Sequence, residues 1–132
     1  MTTIELFKNA KDVMFVEAGR FIFEKGQPGD RAYAVVDGLI DIVLDGKTID
    51  AAGPGSVIGE MALIDGAPRS ASAAAVTPVK LVPIDERRFM FLVQQTPYFA
   101  VQMMQIMSDR LRRLMEASRE SRSAGTRDEG ET

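Results

Sequence analysis

The sequence predicts a mainly β domain, built as an antiparallel barrel or roll, with helices on its flanks. Between Val13 and Pro83, short runs of alternating apolar residues are separated by turn-forming dipeptides, the pattern typical of antiparallel strands. After Pro83 the apolar residues recur at helical spacing instead. With 132 residues, of which 45% are hydrophobic and 27% charged, the chain has the length and composition of one folded domain.

The predicted strands are seven short runs separated by turn signals. They cover residues 13–16, 21–23, 32–36, 39–44, 47–51, 70–76 and 79–82. Two of the connections, Asp37-Gly38 and Asp45-Gly46, are predicted to be hairpin turns, because glycine accepts the positive φ that such tight turns require. The roll therefore spans about residues 13–83, with Gly-rich corners between its strands.

Helices are predicted from residue 85 to residue 121. Asp85 is expected to cap a short helix that runs through Gln95, and Thr96-Pro97 has the N-cap and first-turn residues of a longer helix that ends at Ser121. The last residues, 122–132, are Ser, Gly, Arg and acidic residues, a composition that predicts a disordered tail. Residues 1–121 then form a single domain.

The longer helix carries two apolar faces. One face has alternating spacings of four and three residues, which is typical of a coiled-coil seam. Its members are Ala100, Met104, Met107, Leu111, Leu114 and Ser118. The neighbouring face, Val101, Met103 and Ile106, is predicted to pack on the helix's own domain. Two apolar faces imply two partners, so we expect this helix to pair with the same helix of a second chain.

Missing residue types exclude many functions. The chain has no Cys and no His, which excludes thiol and histidine catalysis and the usual thiolate or imidazole metal sites. A pair of carboxylates, Glu60 and Asp65, lacks a His or metal partner, so we expect the protein not to be an enzyme. The net charge of −3 disfavours unspecific binding to nucleic acid. The absence of a long apolar segment or a signal-peptide pattern predicts a cytoplasmic protein that makes no contact with a membrane.

One segment, residues 56–73 with the sequence SVIGEMALIDGAPRSASA, combines the features of an anion site. A short helix that begins near Gly59 would present backbone N–H groups, and the forked guanidinium of Arg69 suits a phosphate. Ser70 adds a hydroxyl donor, while the carboxylate of Glu60 suits a sugar hydroxyl better than a phosphate. Together these residues indicate a ribose phosphate. Alternatively, Glu60 and Arg69 form an ordinary salt bridge, Ser70 is a turn hydroxyl, and Gly59 serves a bulge.

This segment resembles the phosphate-binding cassette of the cyclic nucleotide-binding domain family, which includes the bacterial catabolite activator protein, kinase regulatory subunits and gated channels. The resemblance covers about residues 4–118, and the upstream segments 19–23, 26–30 and 33–38 resemble the early strands and turns of the family. It implies an eight-stranded antiparallel β-roll, similar to a jelly roll, with a short cassette helix and C-terminal helices. The cyclic nucleotide would lie inside the roll.

The resemblance also implies roles for individual residues. Glu60 would accept from the ribose 2′-hydroxyl, Arg69 would pair with the cyclic phosphate, and backbone groups near Gly59 and Ala62 would lie close by. Ile58 stands where the family often has Phe. A match of the C-terminal helix to the last helix of the catabolite activator protein places Ser118 and Arg119 near the base, with Arg122 as an alternative. Otherwise Arg119 and Arg122 are solvated charges on the helix surface. The full set of expected ligand-binding residues is Ile58, Gly59, Glu60, Met61, Ala62, Arg69, Ser70, Ser118 and Arg119.

The resemblance predicts a regulatory sensor whose C-terminal helix repacks when a cyclic nucleotide binds. Ser70 offers a hydroxyl without the methyl group of the threonine associated with cGMP, and serine also occurs in cAMP-selective bacterial members, so cAMP is favoured over cGMP. No helix-turn-helix fits after Ser118, which predicts that the chain does not bind DNA directly. The expected partner is a second copy bound through the C-terminal helix, or an effector protein. Alternatively, the chain is a ligand-free scaffold that acts through that helix.

Overall fold

The β-strands form two four-stranded antiparallel sheets that enclose a hydrophobic core. The computed structural model describes residues 6, 7 and 9–131, and their side chains as far as residue 119. One sheet has the order β1-β8-β3-β6 and the other β2-β7-β4-β5. The strands are β1 (Met14–Val16), β2 (Phe21–Phe23), β3 (Arg31–Asp37), β4 (Ile40–Leu44), β5 (Lys47–Ala52), β6 (Val57–Ile58), β7 (Ser72–Ala75) and β8 (Val79–Asp85). This architecture confirms the predicted β-roll.

The central strand β3 is buried on both of its faces. Tyr33 and Val35 point into the core between the two sheets, whereas Ala32 and Ala34 belong to a second core that the helices cover. Because side chains alternate across a strand, a strand buried on both sides consists of consecutive apolar residues. Residues 32–36 of β3 are therefore continuously apolar, as are the residues at the centre of β8.

Helices follow β6 and β8. Helix α1 (Met61–Asp65) ends at Gly66, whose left-handed φ of 66° terminates the turn. Helix α2 (Glu86–Gln95) begins after Asp85, whose carboxylate accepts a 2.7 Å hydrogen bond from the Arg88 amide. Helix α3 (Pro97–Glu131) begins at the predicted proline. The predicted starts of α2 and α3 are thus confirmed.

The two Asp-Gly dipeptides have different roles. Asp45 and Gly46, with φ of 52° and 80°, join the paired strands β4 and β5 in the predicted hairpin. The prediction of a hairpin at Asp37-Gly38 is wrong, because β3 and β4 lie in different sheets and do not pair. Gly38 instead turns the chain from one sheet to the other, where a Cβ would lie 2.5 Å from the Pro78 carbonyl oxygen.

The face of α3 that packs on the domain differs in part from the prediction. Phe99 and Met103 are buried, and Ile106 packs against the same core. Val101, predicted on this face, is exposed, because at about 100° per residue it lies on the opposite side of the helix from Phe99 and Met103. No described helix has both the length and the apolar character needed to cross a membrane.

The C-terminal helix is longer than the sequence predicts. Its backbone is helical past Ser121 to Glu131, through most of the segment predicted to be a disordered tail. Arg, Glu and Ala residues in this stretch favour helix, and no proline interrupts it. The side chains of residues 120–131 are not described, and Thr132 lies outside the described residues.

Candidate functional site

A cavity of about 150 Å³ opens between β6, α1 and the loop that leads to β7. Its lining includes six of the residues predicted to bind a ligand: Gly59, Glu60, Met61, Ala62, Arg69 and Ser70. Phe23, Ile42 and Ile49 from the second sheet supply an apolar wall. The fold therefore brings the predicted cassette residues together in one pocket.

Arg69 is held in this pocket by backbone groups from two distant parts of the chain. Its Nη2 donates to the Arg31 carbonyl at 2.8 Å, and its Nη1 donates to the Gly59 carbonyl at 3.2 Å. The guanidinium carbon lies 4.1 Å from the centre of the Phe23 ring, within the range of a cation–π contact. Arg69 is 7% exposed, so these contacts replace most of its water.

Two glycines make room for the guanidinium. A Cβ on Gly29 would lie 2.7 Å from Arg69 Nε, and a Cβ on Gly59 would lie 2.6 Å from Arg69 Nη1. Gly59 also has a φ of 72°, which glycine adopts without strain. Gly59 therefore leaves space for the Arg69 side chain and also allows the turn.

Arg69 retains capacity to bind an anion. Its Nε is buried without a hydrogen-bond partner among the described residues. Burial lowers the pKa of Arg69, while the nearby Tyr33 and Asp30 oppose that effect, and the side chain stays charged. A buried cation with an unused donor is suited to a phosphate oxygen.

The short helix of the pocket begins at Met61, and Glu60, which follows the turn at Gly59, is its N-cap residue. The Ala62 amide, one of the backbone groups expected near the phosphate, donates to the Gly59 carbonyl at 3.3 Å. This hydrogen bond is long compared with the usual 2.9 to 3.0 Å of an N–H···O bond. The hydrogen bond that forms the first turn of α1 is therefore weak at Ala62, which lines the pocket.

Glu60 forms an ion pair with the C-terminal helix, and the alternative Glu60–Arg69 salt bridge does not form. Its Oε1 accepts a 2.6 Å hydrogen bond from Arg110 Nη1, and its side chain is 6% exposed. Arg69 donates to the backbone carbonyls of Gly59 and Arg31 instead. The two charged residues of the cassette thus have separate partners.

Arg110 belongs to a cluster of four charged side chains. Its Nε donates to Asp50 at 3.2 Å, and its Nη2 donates to the Val57 carbonyl at 3.2 Å. Arg113, one turn later, makes two hydrogen bonds to Asp50, at 3.1 and 3.0 Å. Burial alone would raise the pKa of Asp50, but hydrogen bonds and charge from the two arginines hold it below its ordinary value.

Three of the expected ligand-binding residues lie elsewhere. Ile58 is fully buried in the core between the sheets, because the alternation of β6 points it inward opposite Tyr33. Ser118 and Arg119 are exposed on α3, about one turn beyond Leu114, which does line the pocket. The side chain of Arg122 lies outside the described residues.

Sequence reasoning missed the residues that link α3 to the roll, Asp50, Arg110 and Arg113. The signal was the Arg-rich face beside the apolar seam of the helix. Nothing in the local pattern shows that Asp50, on β5, would meet that face.

Comparison with known proteins agrees with this geometry. The profile of the cyclic nucleotide-binding domain matches residues 13–96, which include the roll, the cassette and α2. The chain belongs to the cyclic nucleotide-binding domain family. Membership in this family accounts for the two-sheet roll.

Two curated relatives illustrate the range of the family. A cyclic nucleotide-gated potassium channel of Mesorhizobium japonicum is 40% identical over 85 residues, which are 64% of this chain and 23% of the channel. A cAMP-activated global transcriptional regulator of Mycobacterium tuberculosis is 31% identical over 100 residues, which are 72% of this chain and 45% of the regulator. The chain thus spans less than half the length of either relative.

A solved structure matches over nearly the whole chain. The catabolite activator protein of Thermus thermophilus superposes with a TM-score of 0.72 at 28% identity, over 93% of this chain and 59% of that protein. These relatives are regulators and a channel, and the family model that matches this chain is that of a cyclic nucleotide-binding domain.

Proposed function

We propose that this domain is a cyclic nucleotide sensor that prefers cAMP, with the phosphate on Arg69 and the ribose on Glu60. One observation carries the proposal: a buried guanidinium and a buried carboxylate face the same pocket, with an apolar wall beside them. A cyclic nucleotide has an anionic phosphate, a 2′-hydroxyl donor and an apolar base face. The pocket offers a partner for each of these groups.

The phosphate interaction follows from the surroundings of Arg69. The side chain already lies against Gly59 and Phe23, and its Nε has no partner among the described residues. Charged acceptors form stronger hydrogen bonds than backbone carbonyls, so a phosphate oxygen competes well for this guanidinium. Ser70, on the rim of the pocket, adds a hydroxyl donor.

The ribose interaction uses the spare capacity of Glu60. A carboxylate accepts up to about four hydrogen bonds, and Arg110 takes one of them at Oε1. A ribose 2′-hydroxyl can therefore donate to Glu60 without displacing Arg110. The same carboxylate would repel the phosphate, which orients the ligand with its phosphate toward Arg69.

The base is proposed to lie under α3. Leu114 already lines the pocket, and repacking of the helix over the ligand would bring Ser118 and Arg119 toward the base. Binding would then shift the equilibrium between two positions of α3, which is the signal that a partner reads. The cAMP-activated regulator among the relatives shows that a protein with a similar domain responds to cAMP.

The proposed partner is a second copy of the chain or an effector protein, bound through α3. This helix exposes several large apolar side chains in its described part, including Met104, Leu111 and Met115. We assign no DNA contact to this domain, since its net charge of −3 has the wrong sign.

Calorimetric titration with cAMP and then cGMP tests the proposed ligand, once mass spectrometry has shown that no nucleotide co-purified. The wild-type chain should bind cAMP more tightly than cGMP, and Arg69→Ala should weaken binding by about 2 to 5 kcal/mol. Arg69→Lys keeps the charge without the forked donors, and its affinity should lie between the two. The control is Arg20→Ala, because the side chain of Arg20 is 74% exposed.

A folded chain that binds neither nucleotide would overturn the proposal. The ligand-free scaffold, acting through the apolar residues of α3, would then be the better description. Equal affinity of Arg69→Ala and wild type would remove Arg69 from the site.

A further inference from the structure

Asp50 connects the roll to the C-terminal helix from a position outside the pocket. It lies on β5, is not among the pocket-lining residues, and has a side chain that is 8% exposed. It accepts three hydrogen bonds, one from Arg110 and two from Arg113. Arginines that hold a carboxylate through two nitrogens fix its geometry more firmly than a single contact does.

All three guanidinium nitrogens of Arg110 donate hydrogen bonds. Nε contacts Asp50, Nη1 contacts Glu60, and Nη2 contacts the Val57 carbonyl. Asp50 therefore sets the rotation of the guanidinium that reaches Glu60. All of these contacts join protein groups to protein groups, so they hold α3 against β5 and β6 without help from a ligand.

The pocket is small for a nucleotide. Its volume of about 150 Å³ is below the roughly 300 to 1,000 Å³ of typical small-molecule pockets. Arg110 and Leu114, both on α3, form part of its wall. Displacement of α3 would enlarge the pocket for a ligand of nucleotide size, and the Asp50 contacts resist that displacement.

We propose that Asp50 is a positioning residue: through Arg110 and Arg113 it holds α3 across one wall of the pocket and fixes Arg110 on Glu60. Release of these contacts is then a step by which a ligand gains access to the pocket. This inference rests on the proposed function, because the ligand whose access it controls is the cyclic nucleotide.

The chain offers variants that should fold. In Asp50→Asn, Arg110 keeps Glu60 and the Val57 carbonyl, and Arg113, whose side chain is 52% exposed, returns to water. Asp50→Glu keeps the carboxylate and serves as the conservative rescue. Arg113→Gln breaks the cluster from the other side, and Arg112→Gln is the matched control from the exposed surface of the same helix.

The first test measures how fast the ligand gains access, by stopped-flow fluorescence with an 8-substituted fluorescent cAMP analogue. Asp50→Asn and Arg113→Gln should bind the analogue about fivefold faster than wild type, the ratio that corresponds to roughly 1 kcal/mol at 1.4 kcal/mol per tenfold. Asp50→Glu and Arg112→Gln should bind at about the wild-type rate. Equal association rates for wild type and Asp50→Asn would overturn the proposal.

The second test needs no nucleotide. Because the chain has no Cys, two cysteines at the exposed positions Thr48 and Glu116 can be spin-labelled without background. The distance between the labels should be narrowly distributed in the otherwise wild-type chain and broader in Asp50→Asn. An unchanged distribution would overturn the role of Asp50 in docking the helix. If the chain binds no nucleotide but the distribution broadens, the proposed function fails and the docking role of Asp50 stands.

Discussion

Arg110 donates a 2.6 Å hydrogen bond to Glu60, and these residues are 50 positions apart in the sequence. Glu60 immediately precedes the short helix α1 of the pocket, and Arg110 lies in the long helix α3. The pair therefore joins the cassette to the helix that is proposed to carry the signal. A ligand that binds Glu60 with different strength in two positions of α3 must shift the balance between them.

The role of Glu60 predicts a specific dependence on the ribose hydroxyl. Glu60→Gln should weaken cAMP binding by about 1.5 to 3 kcal/mol, the value of a hydrogen bond to a charged group. The same substitution should weaken the binding of 2′-deoxy-cAMP by much less, because that ligand has no hydroxyl to donate. Calorimetry with both ligands and both proteins measures the coupling.

This comparison separates the ligand contact from the ion pair. Glu60→Gln also weakens the bond to Arg110, but that loss affects both ligands equally and cancels in the double difference. If the substitution weakens the binding of both ligands by the same factor, Glu60 does not contact the ribose.

The sequence predicts local features of this fold well and long-range pairings poorly. Alternating apolar residues predict most of the strands, and the cap at Asp85 predicts the start of α2. The pairing of Arg110 with Asp50 depends on how α3 crosses the roll. No local pattern contains that information, so the residues that join the helix to the pocket were missed.

The two Asp-Gly turns show the same limit. Asp45-Gly46 and Asp37-Gly38 have the same chemistry, and only the first closes a hairpin. Whether two strands pair is decided by the sheet to which each belongs. A turn dipeptide therefore predicts a reversal of the chain but not the neighbours of the strands it joins.

The space for Arg69 predicts that Gly59 is sensitive to substitution in a particular way. Both Gly59 and Gly46 have positive φ, of 72° and 80°, so an alanine at either position is strained. A Cβ on Gly59 would also lie 2.6 Å from Arg69 Nη1, whereas a Cβ on Gly46 meets nothing within 4 Å. Gly59→Ala should therefore lower the affinity for cAMP at least about tenfold, while Gly46→Ala lowers only the stability.

Thermal unfolding and calorimetry on the two alanine variants provide the measurement. Strain from the positive φ should lower the free energy of unfolding of both variants by about 1 kcal/mol. Both melting temperatures should therefore fall. Equal affinities in folded Gly59→Ala and Gly46→Ala would contradict the link between Gly59 and the binding role of Arg69.

The ion pairs of Asp50 predict that their contribution to the free energy of unfolding changes with pH only in the acidic range. Arg110 and Arg113 hold the pKa of Asp50 below its ordinary value, so the folded state binds fewer protons than the unfolded state. The stabilisation is then fully present above the unfolded-state pKa and is lost as pH falls through the lower folded-state value. The stabilisation should therefore be lost below about pH 4, and the two arginines stay charged throughout.

Urea unfolding of wild type and Asp50→Asn at several pH values checks this sign. The difference in free energy of unfolding should be constant between about pH 7 and pH 5 and should shrink below about pH 4. A difference that grows on acidification would mean that the folded state holds Asp50 in its protonated form.

The exposed apolar side chains of α3 predict that the chain self-associates. Met104 and Leu111 are 59% and 58% exposed, and their separation of seven residues places them on one face of the helix. If this face pairs with a second copy, a glutamate at either position places a charge in the interface. Met104→Glu with Leu111→Glu should then convert a dimer to a monomer in sedimentation velocity. Gln105→Glu, at an exposed neighbouring position, adds one negative charge beside the face and should leave the dimer largely intact. A wild-type chain that sediments as a monomer at all concentrations would refute self-association through α3 and would direct attention to an effector protein on the same face.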